Sequence, residues 1–99
     1  MTHIKRFVEH IEEEIEGAKE YAEKYVEYKA KGDMQTAAKY KAMAEDELHH
    51  ASIIHEQAVK EIDQLSKVIT PPAEMMEKWQ HEHAEYVENA AWVRQMLAL

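Results

Sequence analysis

Apolar residues recur every three or four positions along almost the whole chain, and only two short segments interrupt this spacing. The first interruption is Gly32-Asp33, and the second is Thr70-Pro71-Pro72. A spacing of three and four places the apolar side chains on one face of an α-helix. Glycine and proline are rare, and no stretch alternates steadily between apolar and polar residues. The pattern therefore predicts an all-α protein of three long helices.

The residues that flank these segments predict where each helix begins and ends. Thr2, Asp33 and Thr70 can cap the three helices, and Gly32 can adopt the left-handed conformation that ends a helix. We expect one domain over residues 1–99, with helices over about 3–31, 34–68 and 71–97. The short first connection must fold the first two helices into an antiparallel hairpin. The third helix can pack on this hairpin or on another subunit.

The second predicted helix carries a Glu-x-x-His pair, Glu47 and His50, on or beside its apolar face. Residues three apart project from the same side of a helix, so the pair can bind one ion. Carboxylate-bridged di-metal bundles use this motif on two helices and one further Glu on each of two others. Apart from an Asp46/His49 pair one position out of phase, this chain has the motif once. The sequence thus predicts half of a di-metal site.

Glu14 is the candidate third ligand. It lies on the apolar face of the first helix, where a carboxylate is costly unless it is paired or bound to a metal. In a hairpin that turns near Gly32, Glu14 and Glu47 lie at nearly the same level. A two-fold dimer of such hairpins would bring together four carboxylates and two imidazoles, completing both the metal site and a four-helix bundle. This donor set suits iron or manganese, with zinc as a further candidate.

The other histidines, the methionines and the tryptophans have less specific interpretations. His10, one turn before Glu14, and His83, on the apolar face of the third helix, are candidates for extra ligands or for histidines satisfied by a hydrogen bond. The remaining histidines are expected at the surface; they are His3, His49, His55 and His81. The methionines and the two tryptophans are expected in the core or at a subunit interface.

Composition excludes several classes of function. A net charge of −8 and the lack of a basic patch argue against nucleic-acid binding. The chain has no cysteine, so thiolate metal sites and disulfides are excluded. No signal-peptide pattern and no run of 18 apolar residues is present. We expect a cytoplasmic protein with no membrane partner, and 99 residues make homo-oligomerisation a natural way to enlarge a small core.

Glu14, Tyr21 seven residues later, and Glu47-x-x-His50-Ala51 resemble the ligand pattern of the ferritin-like superfamily, especially rubrerythrin-type domains. The string Glu13-Glu14-Ile15-Glu16, followed by Tyr21, resembles the encapsulated-ferritin group more closely. The resemblance covers about residues 7–60. It implies a half-ferritin whose subunits pair to complete a ferroxidase site. It also implies that Glu14, Glu47 and His50 bind iron, that Tyr21 supports them, and that Glu13 and Glu16 form a secondary ion site.

The predicted function is therefore oxidation of Fe(II) by oxygen or peroxide at a di-iron site shared by a homodimer or a larger ring. Two other functions fit the same residues. One is a protein that binds zinc, manganese or iron without turnover. The other is a metal-free helical module for oligomerisation, in which Glu14 pairs with a lysine or a histidine.

Overall fold

A computed structural model describes the backbone of residues 2–99 and the side chains from Ile4 onward. This part of the chain contains three helices and no strand: α1 (Thr2–Ala30), α2 (Met34–Val68) and α3 (Ala73–Leu97). The all-α prediction is confirmed, and the three predicted ranges agree with the helices to within two residues at each end. The side chains of Thr2, a predicted cap, and of His3 lie outside the described residues.

The turn between α1 and α2 is built by two residues that the sequence singled out. Gly32 has a φ of 81°, which a residue with a side chain rarely adopts. Its N–H donates to the carbonyl oxygen of Lys29 at 3.0 Å, and the N–H of Asp33 donates to that of Tyr28 at 3.0 Å. These two bonds form a Schellman motif, which ends α1. The carboxylate of Asp33 then accepts from the N–H of Thr36 at 3.1 Å, which starts α2.

Alanines form the seam between α1 and α2. Six of them are at most 1% exposed: Ala18, Ala22, Ala37, Ala44, Ala51 and Ala58. Small side chains let two helix backbones approach closely, so the hairpin is narrow along its length. The larger buried side chains of Ile4, Ile11, Ile15 and Ile62 fill the end farther from the turn. The predicted apolar faces of both helices are confirmed.

Helix α3 packs on its own hairpin and runs parallel to α1. Trp79, near its start, joins the cluster of Ile4 and Ile11, whereas Leu97, near its end, joins the cluster of Tyr25. The Cα atoms extend over 55 × 17 × 17 Å, so the described chain is an elongated up-down-up bundle. Helix α3 contacts α1 much more than α2. The predicted four-helix bundle needs a second chain and stays a prediction.

Two expectations for the third helix are wrong. It begins at Ala73 with Pro72 as the cap residue, and no side chain accepts a hydrogen bond there, so Thr70 is not its cap. Two successive prolines keep residues 70–72 extended, which delays the helix. His83 is exposed, and Glu82 is buried instead, because α3 turns a slightly different face towards α1. The prediction that a hydrogen bond satisfies His83 is confirmed, since its Nδ1 lies 2.8 Å from Nε2 of His55. Within residues 2–99, no helix is long and apolar enough to cross a membrane.

Candidate metal centre

The hairpin brings together the three residues that the sequence proposed as ligands. Glu14 comes from α1, and Glu47 and His50 come from α2. Each offers one ligand atom, and these atoms all lie within 4.8 Å of one another. Such spacing lets one ion contact all three side chains. The antiparallel hairpin thus places Glu14 and Glu47 at one level, as their distances from the turn predicted.

The packing of the hairpin fixes where these side chains lie. Glu14 stands between the buried Ile11 and Ile15, and the motif of α2 is flanked by the fully buried Ala44 and Ala51. The ligands therefore border the seam instead of lying inside it. The side chain of Glu14 is 17% exposed and that of His50 is 53% exposed. The group is anchored in the hairpin on one side and open to solvent on the other.

Gly17 makes room for the carboxylate of Glu47. A Cβ atom added to Gly17 would lie 3.2 Å from Oε2 and 3.5 Å from Cδ of Glu47. A contact of 3.2 Å is tighter than nine in ten that real Cβ atoms make, so the carboxylate would have to shift by a few tenths of an ångström. Glycine inside a helix is unfavourable relative to alanine. Its place one turn after Glu14 is explained by this close approach.

The two carboxyl groups share a proton. A hydrogen bond to Glu14 is the largest cause that raises the pKa of Glu47, to about 7, and burial and the charge of Glu14 add to it. The same hydrogen bond is the largest cause that lowers the pKa of Glu14 below its ordinary value. Glu47 is therefore still partly protonated near neutral pH, and its protonated form donates to the carboxylate of Glu14. A bound cation would take over the role of that proton.

Two imidazoles face Glu14 from different helices. Nδ1 of His50 lies 3.6 Å from Oε2 of Glu14, and Nε2 of His10 lies 3.2 Å from Oε1. Both histidines also lower the pKa of Glu14. The contact from His10 fits either predicted role, an extra ligand or a hydrogen-bonding neighbour that orients the carboxylate.

Helix α3 lies on the other side of the hairpin from this group. On α1, Lys19 contacts α3, with its ammonium 5.7 Å from the centre of the Trp92 ring, and Glu12 contacts Glu82. At 100° per residue, Glu12 and Lys19 lie on one side of the buried stripe, and Glu14 lies on the other. Helix α3 therefore does not cover the candidate metal centre.

The remaining predicted residues are found near the group or on the surface. Tyr21 packs against Tyr40 of α2, with ring centres 6.1 Å apart, two turns along α1 from Glu14. Glu13 and Glu16, the proposed secondary ion site, are both exposed. The out-of-phase pair, Asp46 and His49, is also exposed on α2.

Sequence reasoning missed three features. Gly17 could have been noticed as a lone glycine in a strongly helical segment, which often marks a close approach. Glu82 is only 4% exposed and has a pKa raised to about 8, first by burial and then by a hydrogen bond with Glu12. Nothing in the pattern of α3 marks it. His55 was expected at the surface, but it is half-buried against α3.

No protein-family model, curated protein or solved structure matches the chain. The described residues define a three-helix protein with a Glu14/Glu47/His50 group that could hold a metal ion. The resemblance to the ferritin-like superfamily stays a prediction.

Proposed function

We propose that this chain is an iron-binding, ferritin-like protein in which two copies share a di-iron carboxylate site that oxidises Fe(II). One observation carries the proposal: ligand atoms of Glu14, Glu47 and His50, from two antiparallel helices, lie within 4.8 Å of one another. Their arrangement matches half of the ligand set of a di-metal bundle, in which two Glu-x-x-His motifs and two further glutamates surround two ions.

The donor chemistry fits iron. Carboxylate oxygens with one imidazole per chain suit iron or manganese, and hard anionic oxygens stabilise the more highly charged oxidised ion. Without a cation, a proton on Glu47 reduces the repulsion between Glu14 and Glu47. An entering ion displaces this proton and is then held by both carboxylates. A ring nitrogen of His50 completes the donor set of one chain.

A second copy is the natural cover for the open face of the hairpin. The ligands lie on the side away from α3, and two exposed apolar residues of α2 are one turn from the motif. Met43, 39% exposed, precedes Glu47 by four residues, and Ile53, 50% exposed, follows His50 by three. Pairing two hairpins about a two-fold axis would bury these side chains and bring both ligand sets together. It would also exclude water from the ions.

The balance of the reaction is simple. Iron supplies the redox step, since each of two Fe(II) ions gives up one electron. Oxygen accepts both electrons and two protons to give hydrogen peroxide; peroxide, as the alternative oxidant, accepts them to give water. The chain contributes binding and charge. Glu14, Glu47 and His50 hold the ions, and His10 orients the carboxylate of Glu14.

The test is an anaerobic Fe(II) titration of the metal-free protein, followed by addition of oxygen. We expect saturation at about one iron per chain, which corresponds to two ions per dimer, and a prompt rise in ferric absorbance. Glu47→Gln and His50→Ala should each abolish tight binding and rapid oxidation. The matched control is Asp46→Asn/His49→Ala, which changes the neighbouring exposed acid and histidine and should behave as wild type.

Three outcomes would reject the proposal in different ways. Equal iron binding by wild type and Glu47→Gln would show that Glu47 is not part of the iron site. Tight, stoichiometric binding without oxygen consumption would favour a non-catalytic metal-binding protein. Weak, unsaturable binding, with oxidation no faster than in buffer, would favour the metal-free oligomerisation module.

A further inference from the structure

A pair of histidines joins α2 to α3 on the opposite side of the hairpin from Glu14. Nε2 of His55 lies 2.8 Å from Nδ1 of His83, and the two ring centres are 4.9 Å apart. The facing nitrogens thus belong to two different helices. Close contact between imidazoles from separate elements is a common starting point for a metal site.

Aromatic side chains of α3 hold His55 in position. Its ring stacks on Tyr86, with centres 4.7 Å apart and an angle of 15° between the planes, and on Trp79, at 5.2 Å and 28°. Trp79, His83 and Tyr86 follow one another at spacings of four and three, so they share one face of α3. Burial is the largest cause that lowers the pKa of His55, and the neighbouring His83 adds to it. His55 is therefore neutral, and able to act as a ligand, at neutral pH.

We propose that His55 and His83 form a second metal site, separate from the carboxylate centre, for a divalent ion of the copper(II) type. Two metal–nitrogen bonds of about 2.0–2.1 Å meeting at a right angle would separate the nitrogens by about 2.9 Å, whereas a tetrahedral angle needs about 3.3 Å. The facing nitrogens are hydrogen-bonded at 2.8 Å in the metal-free pair, and a rotation of the two rings that turns both lone pairs towards one ion would give the separation of a tetragonal copper(II) site.

Copper binding at this pair needs a local proton shift and a small rotation of both rings. In the metal-free pair, one facing nitrogen carries the hydrogen that the other accepts. The ion requires the lone pairs of both, so this hydrogen moves to the outer nitrogen of the same ring. Both imidazoles stay neutral, and water molecules can fill the remaining coordination positions. Copper(II) is also the divalent ion that imidazole ligands bind most strongly in the first transition row.

Such a site would strengthen the weakest contact of the bundle. Helices α2 and α3 touch far less than the other two helix pairs do, and the His55–His83 pair is one of their contacts. An ion bound to both side chains would tie the two helices together. Because a ligand that binds only the folded state stabilises it, copper(II) should raise the melting temperature.

The test is a Cu(II) titration followed by calorimetry and electron paramagnetic resonance. The parent protein carries His3→Ala and His50→Ala, which remove two other imidazoles and the carboxylate centre. We expect one tightly held ion per chain whose spectrum shows two equatorial nitrogens. His83→Ala should weaken binding at least about tenfold, since even the loss of a group that only supports a ligand costs that much, and should abolish the rise in melting temperature.

The matched control is His81→Ala, which removes an exposed histidine of the same helix that pairs with Glu85 at 3.0 Å. It should bind copper as the parent does. His83→Gln, which keeps a polar side chain beside His55, should lose binding as His83→Ala does. Equal copper affinity in His83→Ala and His81→Ala, or a spectrum with fewer than two nitrogens in the parent, would overturn the proposal. Neither result depends on iron oxidation, so this proposal and the proposed function can fail separately.

Discussion

A proton shared by Glu14 and Glu47 stabilises their contact. Gly17, which has no side chain, leaves room for the carboxyl group of Glu47. Two carboxylates in contact repel each other unless a proton or a cation lies between them. Gly17 lets the Glu47 carboxyl reach that position, at the cost of a weaker helix. Gly17 lowers the stability of α1 and leaves room for the carboxyl group of Glu47. This combination indicates that the candidate site, and not the stability of the helix, explains the glycine at this position.

Gly17→Ala should separate stability from metal binding. Alanine stabilises a helix by about 0.5–1 kcal/mol relative to glycine, but its Cβ would push the Glu47 carboxylate away. We expect a higher melting temperature together with weaker Fe(II) or Mn(II) binding. Gly32→Ala should lower the melting temperature, because a φ of 81° is strained for alanine, and should leave metal binding unchanged, because this position lies far from Glu14 and Glu47. Unchanged metal affinity in Gly17→Ala would show that the close approach does not matter.

Glu82 should make stability depend on pH. Its pKa is about 8 in the folded chain, against 4.5 for an ordinary glutamate. Between these values the folded state keeps a proton that the unfolded state has lost, so stability falls as pH rises through this range and the loss is complete above about pH 8. Glu82→Gln cannot ionise. It should match wild type near pH 4.5 and melt at a higher temperature near pH 8, as thermal unfolding at the two pH values would measure.

Glu88→Gln is the control for this comparison, since Glu88 is an exposed acid of the same helix. Its difference from wild type should be the same at both pH values. If Glu82→Gln also showed a constant difference, Glu82 would be ionised in the folded chain.

At the scale of the helices, the hairpin depends on small side chains at the seam and on the turn. Six buried alanines bring α1 and α2 together over most of their length, and Asp33 and Gly32 fix where the chain reverses. The seam and the turn together determine the position along the hairpin at which Glu14 contacts Glu47. A change that spreads the seam should therefore disturb the site even from a distance.

Ala37→Leu should test the seam. Ala37 is 1% exposed and faces α1, whereas its neighbour Ala38 is exposed. Extra methylene groups in a packed core cost about 1–3 kcal/mol, so chemical denaturation should show a loss of that size for Ala37→Leu. Ala38→Leu adds the same atoms on the solvent side and should change the free energy of unfolding by about 0.5 kcal/mol or less. Equal effects would mean that the seam is loose.

The sequence predicts most of the fold and the ligand group, because each depends on local spacing. Apolar residues at three and four positions, Gly32 and Asp33 define the hairpin, and the hairpin brings Glu14 to Glu47. The start of α3 and its buried Glu82 are different. The start of α3 depends on two successive prolines, and the burial of Glu82 depends on how α3 is rotated against α1. Trp79 and Tyr86 lie one turn to either side of both Glu82 and His83, so the apolar spacing does not decide which of the two is buried. The His55–His83 contact was missed for the same reason.

At the scale of the whole molecule, one face of the hairpin is covered by α3 and the other carries the candidate metal centre. Three side chains from one chain leave a metal ion with open positions. The proposed dimer would cover the exposed Met43 and Ile53 beside them. Assembly and metal binding should therefore depend on each other.

Metal binding should promote dimer formation, and charge on the open face should prevent it. We expect the dimer population, measured by sedimentation velocity, to rise when Mn(II) is added under anaerobic conditions. Ile53→Lys should reduce this population, because a dimer would have to bury the ammonium. Val87→Lys places the same charge at an exposed apolar residue of α3 and should not. If neither Ile53→Lys nor Val87→Lys changed the dimer population, the dimer interface would lie on another surface.

The order of the helices also bears on how the chain folds. Helix α3 packs chiefly on α1, and the whole of α2 lies between these two helices in the sequence. Its contacts therefore join residues that are far apart in sequence, and we expect them to form late in folding. The α1–α2 hairpin, with all three ligands, should already be ordered in the folding transition state. Val93→Ala, in the buried face of α3, should then speed unfolding and leave the folding rate nearly unchanged. Stopped-flow measurements would show whether the hairpin that carries Glu14, Glu47 and His50 forms first.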